Sequence, residues 1–278
     1  MRLGTIRIDG QDRVVRVEDD MVELLDFDGD LTTLIRRGVD PGEIGVADQL
    51  SGSPRLSAPV RPGKIIAIGL NYMDHVRETG LDVPTSPLIF TKFPSSVIGP
   101  DEPIRFDRSV TERVDWEVEL VAVVGRPLRD ASRDEAIAAV FGYTVANDVS
   151  ARDLQFGDGQ WVRGKSLDTF CPMGPVIVTR DDVLDPQQLR LETRVNGEVV
   201  QSSSTKEMIF DVAELLAFCS HHFTLEPGDV LLSGTPWGCG EFMNPKRSLC
   251  DGDVVTVEVE GIGTLSNPVK VGSASPRR

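Results

Sequence analysis

Only three histidines occur in 278 residues, so any chemistry that relies on an imidazole has few places to find one. The four cysteines, at 171, 219, 239 and 250, form no C-x-x-C pair. That argues against a thiolate zinc site or a disulfide frame, and they are read as reduced thiols without assigned chemistry. No uninterrupted apolar run reaches the ~20 residues needed to span a bilayer. Residues 1–10 alternate polar with apolar side chains and lack the apolar core of a signal peptide, so a cytoplasmic protein is expected. Basic residues are outnumbered, 29 Lys and Arg against 44 Asp and Glu, for a formal net charge of -15 and a pI near 4.6. Phosphate binding needs a basic surface, so nucleic acid is disfavoured as a partner. The G-x-G-x-x-G fingerprint and a βαβ repetition are also missing, which disfavours a Rossmann fold.

With 40% hydrophobic content the chain can bury a sizeable core. Residues 1–57 read as a small N-terminal α+β domain: a hairpin-like start, then an amphipathic stretch around Leu24, Leu25, Leu31, Leu34 and Ile35. The Asp-rich run at 26–30 resembles a calcium loop only superficially, because Arg37 stands where an EF-hand needs its bidentate Glu. A Ser/Gly/Pro-rich linker at 51–59 leads to a second domain, residues 58–278, of mainly β character. Helices are expected at 132–140, opened by a Ser cap with Glu three residues on, and at 207–218. The Asn-Gly pair at 196–197 predicts a tight hairpin over 194–200, and residues 253–260 alternate as a strand.

Residues 114–124 (VDWEVELVAVV) read as a buried, β-branched strand interrupted by two carboxylates, Glu117 and Glu119. Successive strand side chains point to opposite faces, so these two share a face and their oxygens converge. Unpaired, they would repel. One hard divalent cation relieves both the repulsion and the desolvation: Mg²⁺ or Mn²⁺, with Ca²⁺ also admitted. Asp148, where the next strand-like run (140–146) closes, offers a third ligand. An E-x-E pair alone is common on a solvated strand face, but the unbroken apolar run at 121–124 argues for burial on both faces.

His75 stands three residues before Glu78, so one helical turn places both on one face, the geometry of a base and its orienter. Spacing alone favours a solvent-facing ion pair on a mobile loop. His221 and His222 follow an apolar run at a predicted helix C-terminus, where a cation or polar cap is favoured structurally, and are read as structural.

Several separated stretches, in order, carry a family resemblance: 68–78 (IGLNYMDHVRE), 115–120 (DWEVEL), 147–155 (NDVSARDLQ), 164–166 (GKS) and 233–236 (SGTP). They resemble the fumarylacetoacetate hydrolase family, and the first is similar to the entry and lid segment of short members that act on acylpyruvates and oxaloacetate. The resemblance spans roughly residues 60–270. It implies a mixed β-sandwich roll, barrel-like and usually homodimeric, with the metal near its mouth. It also reverses the reading of His75 and Glu78, making them a catalytic dyad on a lid that continues through 79–84, where Gly and Pro suit a hinge. Lys165 is implied to face the metal and to hold a carboxylate or developing enolate as a point charge. Arg152 and Gln155 are implied at the substrate pocket, Thr235 as hydroxyl donor to a substrate carboxylate, and Lys92 as a further substrate-binding position.

The activity so implied is that of a metal-dependent enzyme that hydrolyses a C–C bond in a 1,3-diketo acid of the acylpyruvate or 2,4-diketo type. Without water attack the same constellation would decarboxylate or tautomerise oxaloacetate, or isomerise a 2-hydroxydienoate. A non-catalytic metal- or ligand-binding homologue is the alternative of another class. Residues 237–247 depart from the family's small-residue continuation and are expected to reshape the pocket wall. A further acidic residue of the longer hydrolases has no counterpart here, which favours the lid-dyad mechanism. Residues 156–161 (FGDGQW) resemble members that cleave diketo sugar acids.

Overall fold

The computed structural model describes residues 1–18, 21–52 and 54–272; Ser53 of the expected linker and residues 273–278 lie outside the described residues. The chain is mainly β, with a 12-stranded mixed sheet and a 5-stranded sheet. Seven strands position the site: β1 (Arg2–Ile8), β2 (Ile65–Gly69), β3 (Leu88–Lys92), β4 (Val118–Val124), β5 (Val140–Asn147), β6 (Cys171–Thr179) and β7 (Val230–Leu232). They neighbour one another in the order β1-β6-β5-β4-β7-β2-β3. All these pairs are antiparallel except β7 with β2. The outer strands Val46–Leu50 and β3 end the sheet without pairing to each other, so it stays open rather than closing into a barrel. Among the described residues no helix is long and apolar enough to cross a membrane.

Strand β4 is central and buried along its whole length, as its unbroken apolar composition requires. Its alternate residues serve two cores. Val118, Leu120, Ala122 and Val124 pack with Val255, Val257 and Leu265 of the second sheet and with Leu215 and Leu216 of the helix Val212–His222. Val121 and Val123 pack with Ile65, Ala67, Phe90 and Leu232, and with Leu3, Leu31 and Leu34 from the N-terminal segment. Each fully buried Val or Leu contributes about 1.5–3 kcal/mol. A core of this size can therefore offset the several kcal/mol that each buried ion costs. β1 also hydrogen-bonds to β6 through Arg2↔Val178 and Leu3↔Ile177.

Local structure follows the sequence signals in most places. Ser132 and Glu135 form the expected reciprocal capping box on the helix Arg133–Ala138. Asn196 and Gly197 take positive φ at the tip of the hairpin joining Arg190–Val195 to Glu198–Ser204. Asp30, in the Asp-rich run, caps the helix Leu31–Arg36 by accepting from Thr33 N–H. Two expectations need correction. The second long helix starts at Val212 rather than 207, because Met208 bridges to Tyr72, Ile209 N–H bonds to Asn71 O, and Asp211 takes the N-cap. The run 114–124 is not one strand: it breaks at Trp116 and Glu117, between Val114–Asp115 and β4. There, side-chain acceptors replace the ladder. Trp116 N–H bonds to Asp115 Oδ1 at 2.8 Å and Glu117 N–H to Asn147 Oδ1 at 2.9 Å.

Candidate active site

Asp148 follows β5 directly, and its N–H donates to Glu117 O at 2.9 Å, which brings the third carboxylate beside the first two. Glu117, Glu119 and Asp148 each offer an oxygen within 4.8 Å of the others, and all three are buried. Cations surround them. Lys165, on the short helix Val162–Lys165, donates to Glu117 Oε2 at 2.8 Å and to Asp148 Oδ2 at 2.7 Å. Arg152 lies 2.6 Å from Glu117 Oε1 through Nη1 and donates Nε to Asp115 Oδ2 at 2.8 Å. Lys92, at the end of β3, bonds to Asp148 Oδ1 at 2.5 Å and to Val149 O at 3.2 Å.

Counting charges tests whether a cation fits. Asp115, Glu117, Glu119 and Asp148 are buried acids; Lys92, Arg152 and Lys165 are buried bases, so one negative charge is left over. It belongs to Glu119, which has no ion-pair partner among the described residues and accepts only from Gly234 N–H, at 2.6 Å. Burial, reinforced by Asp148 and Glu117, pushes its carboxyl well above the usual range. Burial pushes Glu117 the same way, but Lys165 and Arg152 outweigh it and hold that carboxyl at about 2. Once ionised, Glu119 would be a surplus buried anion inside a three-oxygen cluster, the environment a hard divalent cation takes, so this triad could hold a metal ion.

The dyad forms the wall. His75 and Glu78 lie on the helix Met73–Thr79, with Nδ1 of His75 2.8 Å from Glu78 Oε2. A carboxylate only accepts, so Nδ1 carries the proton and Nε2 is left as the basic nitrogen. His75 is 8% exposed, so the solvent-facing ion pair favoured by spacing alone is not what forms. Glu78 is fixed in turn by Gly238 N–H at 2.9 Å, and the His75 ring meets Phe242 edge-on at 5.3 Å. The Arg152 guanidinium also stands over the Phe242 ring, 5.9 Å from its centre, so wall and floor meet there. Gly80, with φ +68°, ends the helix where the expected hinge begins.

The remaining expected residues differ in their surroundings. Gln155 Oε1 accepts from Arg152 Nη1 at 2.9 Å. Thr235 Oγ1 accepts from Gln201 Nε2 at 3.0 Å, which leaves its own hydroxyl proton free to donate. Lys92 is 1% exposed and its bonds run to Asp148 and Val149, so it backs the carboxylate. His221 and His222 lie at the helix end, and His222 Nδ1 bonds to Phe218 O at 2.8 Å. Burial pushes the Cys171 and Cys219 thiols up to about 12, in keeping with cysteines that carry no chemistry.

Several positioning groups went unassigned in the sequence. Gln201 is fully buried; its Oε1 accepts from Val118 N–H at 3.0 Å and from the Thr193 hydroxyl at 2.7 Å. Asn71 Nδ2 donates to Ser233 O at 2.8 Å and to Phe210 O at 3.0 Å, and this fixes the turn that carries Gly234 and Thr235. Asn71 lies within the 68–78 stretch that carries the family resemblance, and Gln201 is a lone amide in the run EVVQSSS.

The family model described as fumarylacetoacetate (FAA) hydrolase C-terminal matches residues 64–270. A rat protein named mitochondrial oxaloacetate tautomerase Fahd2a is 44% identical over 262 residues, covering 90% of this chain and 83% of its own. Among solved structures, a fumarylacetoacetate hydrolase from Exiguobacterium antarcticum superposes with a TM-score of 0.89 at 42% identity, over 98% of this chain and all of that one. A 5-carboxymethyl-2-hydroxymuconate delta-isomerase from Mycobacterium smegmatis does so with 0.83 at 38% identity, over 98% of this chain and 100% of that one. Motifs, fold and overall similarity agree, and the chain belongs to the fumarylacetoacetate hydrolase family.

Proposed function

We propose that this protein is a divalent-metal-dependent enzyme that interconverts enol and keto forms of short 2-oxo dicarboxylic acids, oxaloacetate first among them. The observation that carries the reading is the 44% identity, along 90% of the chain, to a protein named oxaloacetate tautomerase. Among the activities expected from the sequence, this similarity supports tautomerisation over C–C hydrolysis. Hydrolysis of a 1,3-diketo acid remains the second reading, favoured by the name of the Exiguobacterium structure.

The chemistry asks little of the protein beyond moving a proton. Keto and enol forms differ only in one hydrogen, on C3 in the first and on the 2-oxygen in the second, so no water is consumed and no carbon–carbon bond breaks. When bound, a divalent cation at Glu117, Glu119 and Asp148 would supply Lewis acidity toward the 2-oxygen. His75 would carry that one proton between C3 and the 2-oxygen through Nε2, taking it from one atom and returning it to the other, with Glu78 fixing the tautomer. Lys165 would stabilise the negative charge that grows on the enolate. The free proton of Thr235 would hold a substrate carboxylate.

The test follows enol absorbance of oxaloacetate with metal-stripped protein, with and without Mg²⁺ or Mn²⁺, alongside product analysis. The expected result is metal-dependent loss of enol with neither carbon dioxide nor pyruvate formed above background. Acetate and pyruvate from acetylpyruvate, with no effect on oxaloacetate enol, would replace this reading with the hydrolase. Binding without turnover of either compound would make the protein a non-catalytic homologue.

A further inference from the structure

One buried carboxylate beside the cluster has no role in the chemistry above. Asp115 is 1% exposed, and both its oxygens are engaged within the protein. Oδ1 accepts from Trp116 N–H and Gly240 N–H, each at 2.8 Å; Oδ2 accepts from Arg152 Nε at 2.8 Å and Glu241 N–H at 3.1 Å. These bonds reach both halves of the site. Toward the floor, the guanidinium that Asp115 holds by Nε presents Nη1 to Glu117 at 2.6 Å. Toward the wall, Gly240 and Glu241 belong to the turn at 238–242, in which Gly238 N–H braces Glu78 and Phe242 packs on His75. The Trp116 indole ties the same turn down by donating to Gly238 O at 3.1 Å. Gly240 has to be glycine: a Cβ there would stand 2.2 Å from Arg247 O and 3.0 Å from Asp115 Oδ1.

We propose that Asp115 is a positioning residue that sets Glu117 for metal binding through Arg152 and clamps the 238–242 turn against the His75–Glu78 dyad. It touches neither metal nor substrate. The planar guanidinium is shared between two carboxylates. With Asp115 holding the Nε edge, Glu117 takes one Nη contact and keeps lone pairs for a cation. Remove the charge of Asp115, and the guanidinium answers to Glu117 alone and competes with the metal for it. The inference rests on the reading of Glu117 as a metal ligand.

The test is Asp115→Asn, with Mn²⁺ titrated calorimetrically into metal-free protein in the absence of substrate. Outer partners of metal ligands typically tune affinity by 10–100-fold, and a rise in Kd on the order of tenfold is expected. At saturating Mn²⁺, a remaining fall in kcat would report the loosened turn. Wild-type affinity in a variant that melts like the wild type would overturn the proposal, and full recovery of kcat at saturation would overturn the clamp. Should Asp115→Asn fail to fold, Arg152→Lys separates the same two contacts, because an ammonium lacks the fork that bridges both acids. Wild-type Mn²⁺ affinity there would again sink the idea. Glu117→Gln serves as the control. Unchanged affinity in that variant removes the metal-ligand reading beneath, whereas loss there without loss in Asp115→Asn removes the role of Asp115 alone.

Discussion

The floor of the site and its wall are held in different ways. On the floor, Lys165, Lys92 and Arg152 meet Asp148, Glu117 and Asp115 in ion pairs whose side chains are almost wholly out of water. On the wall, the seven-residue helix Met73–Thr79 is tied by Glu78 to Gly238, by Asp74 to the Ser203 hydroxyl, and by an exposed pair of Arg77 with Glu207 at 3.3 Å. A buried charge without its partner has no solvent to turn to, so floor residues are bound to one arrangement. Surface pairs contribute little, so the exposed pair of Arg77 with Glu207 can be exchanged for water at small cost. Stability should therefore be concentrated in the floor and rate in the wall.

The sharpest way to break that contrast is Lys165→Met, which leaves Glu117 and Asp148 facing each other across a lost cation. Removing one partner of a buried pair costs about 3–5 kcal/mol, and this is the loss expected in urea unfolding of the metal-free protein. A loss below about 1 kcal/mol, the range of exposed pairs, would show that the floor is not electrostatically fixed. The wall should respond in the opposite sense. His75→Asn should lower turnover by about 10²–10⁴-fold, the usual worth of a general base, with Mn²⁺ affinity and melting temperature near wild type. A parallel collapse of metal affinity would merge wall and floor into one unit. Glu78→Gln should cost less, about 10–100-fold, since an amide can still accept from Gly238 N–H but no longer favours the Nδ1–H tautomer.

The same contrast governs what the sequence revealed. Glu117, Glu119 and Asp148 were legible because a carboxylate inside an apolar β-branched run violates the ordinary pattern, and the violation names its own remedy. The break at Trp116 and Glu117 was not legible, because it depends on Asn147, thirty positions further on, accepting Glu117 N–H in place of a ladder partner, with Gln201 taking Val118 N–H where β4 begins. His75 and Glu78 could be paired by spacing, but not their burial, since Phe242 and Gly238 come from a turn some 160 positions further along the chain. For the same reason residues 237–247 could be read as a departure from a family pattern that reshapes the pocket wall, but not for what they hold there. In the fold they brace the dyad and engage Asp115. Within the central sheet β4 and β5 were legible from their hydrophobic runs, whereas the start of the helix at Val212 was set by contacts with Tyr72 and Asn71.

A further effect is expected within the floor, between its two neighbouring glutamates. Glu117 is held at about 2, below its ordinary 4.5, so its stabilising contribution is complete above about pH 4.5 and is lost as pH falls through about 2. Glu119 has the opposite sign. Its carboxyl is raised, so the folded metal-free protein binds a proton that the unfolded chain releases, and stability drains away as pH climbs past 4.5 toward that raised value. One such proton changes stability by up to about 1.4 kcal/mol per pH unit. A cation that pairs with ionised Glu119 cancels the loss. The melting-temperature gain on adding Mg²⁺ should therefore be small near about pH 5 and grow toward about pH 8, and Glu119→Gln should abolish the growth. A gain that is equal at every pH would mean that Glu119 is already ionised without metal, and the surplus charge inferred for the floor would have to be neutralised by some other group.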